Sequence, residues 1–311
     1  MITYQHGKVV KGLGGLYEIR IPDSEGARRI LCRAKGNLKR DEEKLIIGDN
    51  VTVTLDDSTP DGVVISDIDK RKNSLIRPPI ANLDYLFIVF AARKPAPVLE
   101  TVDKLVAIAE HNGILPIIVI TKSDLSVETA LELAEIYKGV GLSTFVTSSE
   151  AGEGTEELSE YIMTNVRDGK TAAFAGASGV GKSTLMNALF PGLSLATAEI
   201  SRKIERGRHT TRHVEIFDIS DGEDTGFLAD TPGFSLVDFE RFDFLSLDDL
   251  LFAFRDLLPF SEGCRYADCA HVGESAEECA VARAVREGKV AESRLASYRS
   301  IYRVLKAKSD Y

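Results

Sequence analysis

Residues 171–190 read T-A-A-F-A-G-A-S-G-V-G-K-S-T-L-M-N-A-L-F, and this stretch decides the fold. Thr171–Ala175 is a short apolar run suited to a parallel strand buried on both faces. Residues 182–190 read as the start of a helix. Between them, 176–183 fill the pattern G-x-x-x-x-G-K-S, a phosphate-binding P-loop. A strand, a glycine loop and a helix in that order aim backbone N–H groups and a helix N-terminus at phosphate oxygens. Gly176 and Gly181 let the backbone come close, and Ser178, Gly179, Val180 and Thr184 complete the cradle. Lys182 is placed to reach the β- and γ-phosphates and the Ser183 hydroxyl to ligate Mg²⁺.

A base-reading motif lies earlier in the chain. T-K-S-D at 121–124 closes the apolar run Pro116–Thr121, at the strand end where ligands bind in open α/β sheets. The Asp124 carboxylate can accept hydrogen bonds from guanine N1–H and the 2-amino group. Adenine offers neither donor there and would leave the acid unpaired. Lys122 can lie along the base plane. The next loop, T-S-S-E-A-G-E-G at 147–154, carries Ser148 and Ser149 and can offer a backbone N–H near Ser149 to guanine O6. Two further motifs follow the P-loop. G-R-H-T-T-R-H at 207–213 stands where a loop sensing the γ-phosphate belongs, with Thr211, or failing it Thr210, completing the Mg²⁺ shell. In D-T-P-G at 230–233, Asp230 would hold Mg²⁺ through water and the Gly233 N–H would contact the γ-phosphate. Each short motif is weak alone; together they specify GTP or GDP with Mg²⁺. The guanine motif precedes the P-loop, the reverse of the ordinary order, so the expected domain is circularly permuted.

Three segments flank and contain these motifs. Residues 1–73 hold short alternating runs at 7–10, 17–21, 29–34, 50–55 and 62–68, punctuated by Gly, Pro, Asp and Asn, the pattern of a small all-β barrel. An OB-fold, a frequent oligonucleotide platform, fits; an SH3-like barrel fits these runs as well. Lys70–Pro79 reads as a hinge. Residues 74–236 alternate strands (85–91, 116–121, 143–147, 171–175, 213–219, 226–230) with helices (99–112, 125–137, 156–166), the signature of a parallel α/β sheet. Residues 237–311 begin acidic and apolar, pass through a Cys/His cluster and end in a basic helix. The fold class is thus multidomain: β-barrel, permuted α/β P-loop domain, and a mainly helical zinc-binding domain.

The cluster is Cys264, Cys269, His271 and Cys279 in the spacing C-x4-C-x-H-x7-C. Three thiols and an imidazole in one short loop suit a tetrahedral, structural Zn²⁺, one per chain, with no place left for water. Cys32 stands apart as a small buried hydrophobe.

The chain has 311 residues, 44% hydrophobic and 28% charged, with a net charge of −10. This is a globular composition. No apolar run approaches the roughly 18–20 residues of a membrane span and the N-terminus lacks a signal-peptide pattern, so the expectation is a cytoplasmic protein without a membrane partner. Four cysteines fit a reducing compartment. Although the protein is acidic, Arg28, Arg29, Arg33, Lys35, Lys39 and Arg40 form one basic segment. Residues 280–311 carry eight Lys/Arg against Glu287, Glu292 and Asp310. Such local fields can hold nucleic-acid phosphates despite an opposing net charge.

The sequence of guanine motif, T-S-S loop, P-loop, switch loop and D-T-P-G, with a β-barrel before and a Cys/His cluster after, resembles the ribosome small-subunit-dependent GTPase A family of bacteria over essentially the whole chain. The resemblance implies GTP hydrolysis stimulated by the 30S subunit, a role in late subunit maturation, and contact with 16S rRNA. It also implies that His209, with Lys182 and Thr211, serves catalysis, since Phe234 replaces the glutamine that orients water in Ras-like proteins. Thr121 stands where many GTPases carry asparagine, and a looser tie between loops is the expected consequence. Ser149 replaces a common alanine, a change that a backbone contact tolerates. Gly179 leaves no P-loop asparagine for a monovalent cation. The protein is expected to be a monomer. Two other readings compete: a P-loop ATPase or small-molecule kinase, and a nucleotide-clamped RNA-binding module without significant turnover.

Overall fold

The alternating runs of the first segment become β1 (Ile2–Leu13), β2 (Leu16–Asp23), β3 (Gly26–Ala34), β4 (Asn50–Asp56) and β5 (Val63–Ile68). They close a barrel in the order β1-β2-β3-β5-β4. β1 pairs antiparallel with both β2 and β4, and only β3 with β5 is parallel. This closed five-stranded arrangement is the OB type, and the SH3-like alternative falls. Val9, Val10, Ile19, Val51, Val53 and Ile65 fill the interior. The structure, a computed structural model, describes residues 2–23, 26–35, 44–56, 62–191, 214–220, 225–230 and 244–309.

The segment expected to be a hinge is instead fastened to the barrel. Ser74–Ile76 (β6) and Pro79–Ala81 (β7) form an antiparallel pair. Asp49 is fully buried, and a buried carboxylate requires a cation. Arg71 supplies it, with Nε and Nη2 at 2.6 and 2.9 Å. The Ala81 N–H donates to the Ile47 carbonyl at 2.9 Å, and Asn82 Nδ2 to the Gly48 carbonyl at 2.9 Å.

The central strands are β8 (Tyr85–Ala91), β9 (Leu115–Thr121), β10 (Thr144–Val146), β11 (Thr171–Ala175), β12 (Glu215–Asp218) and β13 (Phe227–Asp230), ordered β10-β9-β8-β11-β13-β12. Every residue of β8 and β11 is buried, as their continuous apolar runs require. β9 with β10 and β11 with β13 are parallel, but β12 is antiparallel to β13. The expectation of a parallel sheet therefore fails at this edge. Consecutive strands joined by a short connection have no room for a crossover and pair antiparallel. The helices are α1 (Leu99–His111), α2 (Val127–Gly139), α3 (Thr155–Asn165) and α4 (Lys182–Leu189), followed by α5 (Leu258–Ser261), α6 (Ala280–Arg286) and α7 (Glu292–Ser309).

By contacts, the chain forms two compact units. One comprises Met1–Tyr85, Ser159–Phe174 and Leu189–Phe234; the other comprises Leu86–Leu158, Ala175–Ala188 and Ser235–Tyr311. Within the first, Arg29 pairs with Glu18 and with Asp218, both at 3.0 Å. Within the second, α7 packs on α1 through Arg294, which is 1% exposed. Its Nη1 donates to Asp103 at 2.7 Å, its Nη2 and Nε to Asp256 at 2.8 and 3.0 Å, and its guanidinium lies 4.5 Å from the Phe254 ring centroid. Two of the basic residues noted in the sequence, Arg29 and Arg294, thus serve internal ion pairs. Among the described residues, no helix is long and apolar enough to cross a membrane.

Candidate functional site

The second unit gathers three loops at strand ends. The P-loop leaves β11 and enters α4, and Gly176 is where it must be glycine. A Cβ there would lie 2.1 Å from the Val89 carbonyl oxygen, so the loop presses against β8 with no room for a side chain. Gly179 and Gly181 take φ of 79° and 93°, turning the chain so that Lys182, Ser183 and Thr184 open the helix. Ser178 and Val180 lie within the same turn.

The guanine loop follows β9, and two bonds hold it to the P-loop. Lys122, at φ 56°, sends its Nζ to the Gly179 carbonyl at 2.6 Å and to the Lys94 carbonyl at 2.7 Å. The Thr121 hydroxyl donates to the Val180 carbonyl and, at 3.2 Å, to that of Phe90. The expected loosening at Thr121 is therefore corrected: the short β-branched hydroxyl is buried at the strand end, within reach of the P-loop backbone. These ties are charge-assisted or buried, the kinds of hydrogen bond with the largest net worth.

Asp124 follows in a single 3-10 turn, Ser123–Leu125, and is exposed. Its Oδ1 accepts from the Ser148 hydroxyl at 2.5 Å, and the Ser148 oxygen accepts from the Ala151 N–H at 3.1 Å. Ser148 thus orients the carboxylate from the adjacent loop. That role was hidden in the sequence, which pointed only to a backbone N–H near Ser149. The loop is folded back by paired Ser148–Glu153 bonds of 2.9 and 3.0 Å. Gly154, at φ 68°, sits where a Cβ would lie 2.1 Å from the Val146 carbonyl. Thr121, Lys122, Asp124, Ser148 and Ser149 are thereby set at neighbouring strand ends, with the P-loop tied to them. Asp230 ends β13 in the first unit. His209, Thr210, Thr211 and Gly233 lie outside the described residues.

A second site, also in the second unit, joins Cys264, Cys269, His271 and Cys279, whose ligand atoms all lie within 4.8 Å of one another. His271 Nδ1 is 3.5, 3.4 and 3.4 Å from the three sulfurs. His271 takes φ 60°, and its carbonyl accepts from Arg299 Nε at 2.9 Å, which fixes the turn. The Ala280 and Ala282 N–H groups point at Cys264 Sγ and Cys279 Sγ, at 3.3 and 3.4 Å. Donors aimed at sulfur suit thiolates. Burial first, then the neighbouring Cys264 and Cys279 sulfurs, push the Cys269 thiol up to about 12 against a backbone hydrogen bond at His271, so ionisation at this site calls for a bound cation. The residues present fit a four-ligand metal.

Comparison with known proteins is consistent along the chain. The RsgA GTPase family profile matches residues 68–240, and the RsgA N-terminal domain profile matches residues 6–64. The chain belongs to the RsgA GTPase family. Small ribosomal subunit biogenesis GTPase RsgA 2 of Listeria monocytogenes is 40% identical over 304 residues, covering 96% of this chain and 97% of its own. The RsgA of Alkaliphilus metalliredigens is 37% identical, covering 98% and 99%. Among solved structures, YjeQ from Thermotoga maritima aligns with a TM-score of 0.78 at 32% identity over 98% of this chain and 99% of its own. YloQ, described as a circularly permuted GTPase, aligns at 0.77 and 32%, covering 98% and 96%. The permuted order of this RsgA family member, read first from T-K-S-D and the P-loop, agrees with the description of YloQ.

Proposed function

We propose that this protein hydrolyses GTP in the biogenesis of the small ribosomal subunit, that the 30S subunit stimulates hydrolysis during late maturation, and that nucleotide state gates its grip on 16S rRNA. The observation that carries this is the double tie of Lys122 and Thr121 to the P-loop carbonyls. It makes base recognition and phosphate binding one rigid constellation, with Asp124 held by Ser148 to receive guanine. The relatives' names, small ribosomal subunit biogenesis GTPase, supply the subunit.

The roles follow from the chemistry. The P-loop N–H groups and Lys182 would neutralise the phosphates; Ser183, Asp230 and Thr211 are the residues that would hold Mg²⁺ and Gly233 the one that would meet the γ-phosphate; His209 would position the attacking water, since the Phe234 side chain has no hydrogen-bonding group. The loop holding Gly233 is the last of the nucleotide motifs, so loss of the γ-phosphate acts directly on the chain entering residue 237. We assign functional domains to 1–73, 74–236 and 237–311, in a cytoplasmic monomer.

Zinc is the proposed metal of the Cys/His site. Tetrahedral geometry with about 2.3 Å to sulfur and about 2.05 Å to nitrogen predicts edges of about 3.8 Å between sulfurs and about 3.6 Å from sulfur to nitrogen. The Cys264–Cys279 sulfurs are 3.9 Å apart and the imidazole distances given above are close to these edges, while the four ligand atoms together span up to 4.8 Å, so the set draws in when it closes on a metal. Phosphate release from GTP, with and without purified 30S subunits, tests the proposal. Stimulated, multiple-turnover release is expected; no turnover in either condition would return the protein to the clamped binding module.

A further inference from the structure

The first unit contains a cavity of about 530 Å³ that shares no residue with the nucleotide site. The barrel contributes one part of its wall. Lys8 on β1 is the register partner of Arg20 on β2 and of Asn50 on β4, and all three line the cavity together with Lys70, Lys72 and Phe227. Lys8 is only 8% exposed and Arg20 only 5%. Lys8 Nζ and the Arg20 guanidinium lie 5.3 and 5.0 Å from the Phe227 ring centroid.

The cations differ in their commitments. Arg20 pairs with Asp218, and Lys72 with Asp84. Lys8 has the Phe227 ring but no ion pair or hydrogen bond among the described residues. A nearly buried ammonium without an anion is costly. Burial, and then Lys72, pull the Lys8 amine down to about 8; Asp84 and Asp49 offset this, and Arg20 adds to it. Lys70 is exposed at the rim. Two carboxylates, Asp69 and Asp168, also line the cavity, and Asp168 is paired with Arg167 at 3.2 Å; with Arg20, Lys72 and Asp168 committed, the lining offers Lys8 and Lys70 against Asp69.

We propose that this cavity binds a phosphorylated small molecule of mononucleotide size or less, its phosphate held by Lys8 and Lys70. The volume lies within the range of about 300–1,000 Å³ typical of small-ligand sites. The burial of Lys8, at the floor of an open depression, favours one source of the phosphate. A phosphodiester in a nucleic-acid duplex presents its oxygens from the outside of a broad cylinder, whereas a terminal phosphate on a small molecule can enter and reach Lys8.

The test uses the full-length protein saturated with Mg²⁺ and GDP, so that the P-loop is filled. Inorganic pyrophosphate and AMP are titrated by calorimetry at pH 7. One saturable site is expected for at least one of them. Lys8→Met should weaken it about tenfold or more, as expected for loss of a charged hydrogen-bond partner, and Lys70→Ala by less, with GDP affinity unchanged in both. Should Lys8→Met fail to fold, the wild type decides through acylation of Lys8 by an amine-selective reagent, followed by peptide mass spectrometry. The small phosphate should slow labelling of Lys8 several-fold, leaving Lys104 on α1 unaffected. Absence of both binding and protection at millimolar ligand overturns the proposal, as does full affinity in Lys8→Met. Protection by a 5′-phosphorylated RNA oligonucleotide, with none from pyrophosphate or AMP, overturns the small-molecule assignment.

Discussion

Replacing Arg294 by methionine removes the cation that pairs with two buried acids. Asp103 is fully buried and Asp256 nearly so, and three guanidinium bonds of 2.7–3.0 Å are lost. Breaking a buried pair by removing one partner costs about 3–5 kcal/mol. For a folded unit of roughly 150–250 residues, each kcal/mol lowers Tm by about 2–4 °C, so a loss of ~6–20 °C is expected for the second unit. The sign of the pH dependence is also fixed. Burial raises the Asp103 carboxyl, and Arg294 is the foremost group holding it down. Without Arg294 its folded-state pKa climbs further above the unfolded value, and the folded state binds a proton that the unfolded state does not. The deficit is therefore largest at neutral pH and shrinks as pH falls toward the folded-state pKa. Calorimetric or circular-dichroism melts of wild type and variant between pH 5 and 7.5 measure both quantities. A variant melting within about 2 °C of wild type at pH 7, or a deficit that grows on acidification, would refute this account of the α1–α7 contact.

Thr121→Val removes the hydroxyl tie to the Val180 carbonyl. A loss of about 1–2 kcal/mol, or ~5–30-fold in GDP affinity, should appear in fluorescent-nucleotide titrations; unchanged affinity would mean that Lys122 alone holds the two loops. Cys269→Ser should abolish binding of one equivalent of zinc, read by elemental analysis, and lower the melting temperature. His209→Ala should reduce 30S-stimulated kcat by about tenfold or more while GTP affinity stays within a few-fold; an undiminished kcat would remove His209 from catalysis.

Much of this was legible because the signals were local. β8 and β11 announce themselves as unbroken apolar runs, the P-loop as a fixed spacing of glycines and Lys182, and the metal site as four soft ligands within sixteen residues. What escaped depends on partners distant in sequence. Nothing around Ser148 says that its hydroxyl meets Asp124, twenty-four residues earlier. Thr121 looked like a weakened asparagine, since its acceptor at Val180 is fifty-nine residues away. Arg294 read as part of a basic surface, although it shares the buried face of α7 with Leu295, Tyr298, Ile301 and Leu305. A charge on an apolar stripe was the available clue to a buried ion pair. Arg29 gave no such hint, because its partner Asp218 lies on another strand far along the chain. The basic segment at 28–40 consequently has fewer uncommitted cations than its composition suggests.

The central claim is that a guanine-reading loop and a P-loop, joined in permuted order, make a GTPase that answers to the small ribosomal subunit. The most direct measurement is steady-state phosphate release from GTP, ATP and XTP, with and without purified 30S subunits, by wild type and Asp124→Asn. Wild type should turn over GTP in strong preference to ATP, with 30S raising the rate. Asp124→Asn should lose GTP turnover and gain XTP turnover, because the amide presents a donor where guanine requires an acceptor. Equal use of ATP and GTP by wild type, or a GTP rate indifferent to 30S, would contradict the account.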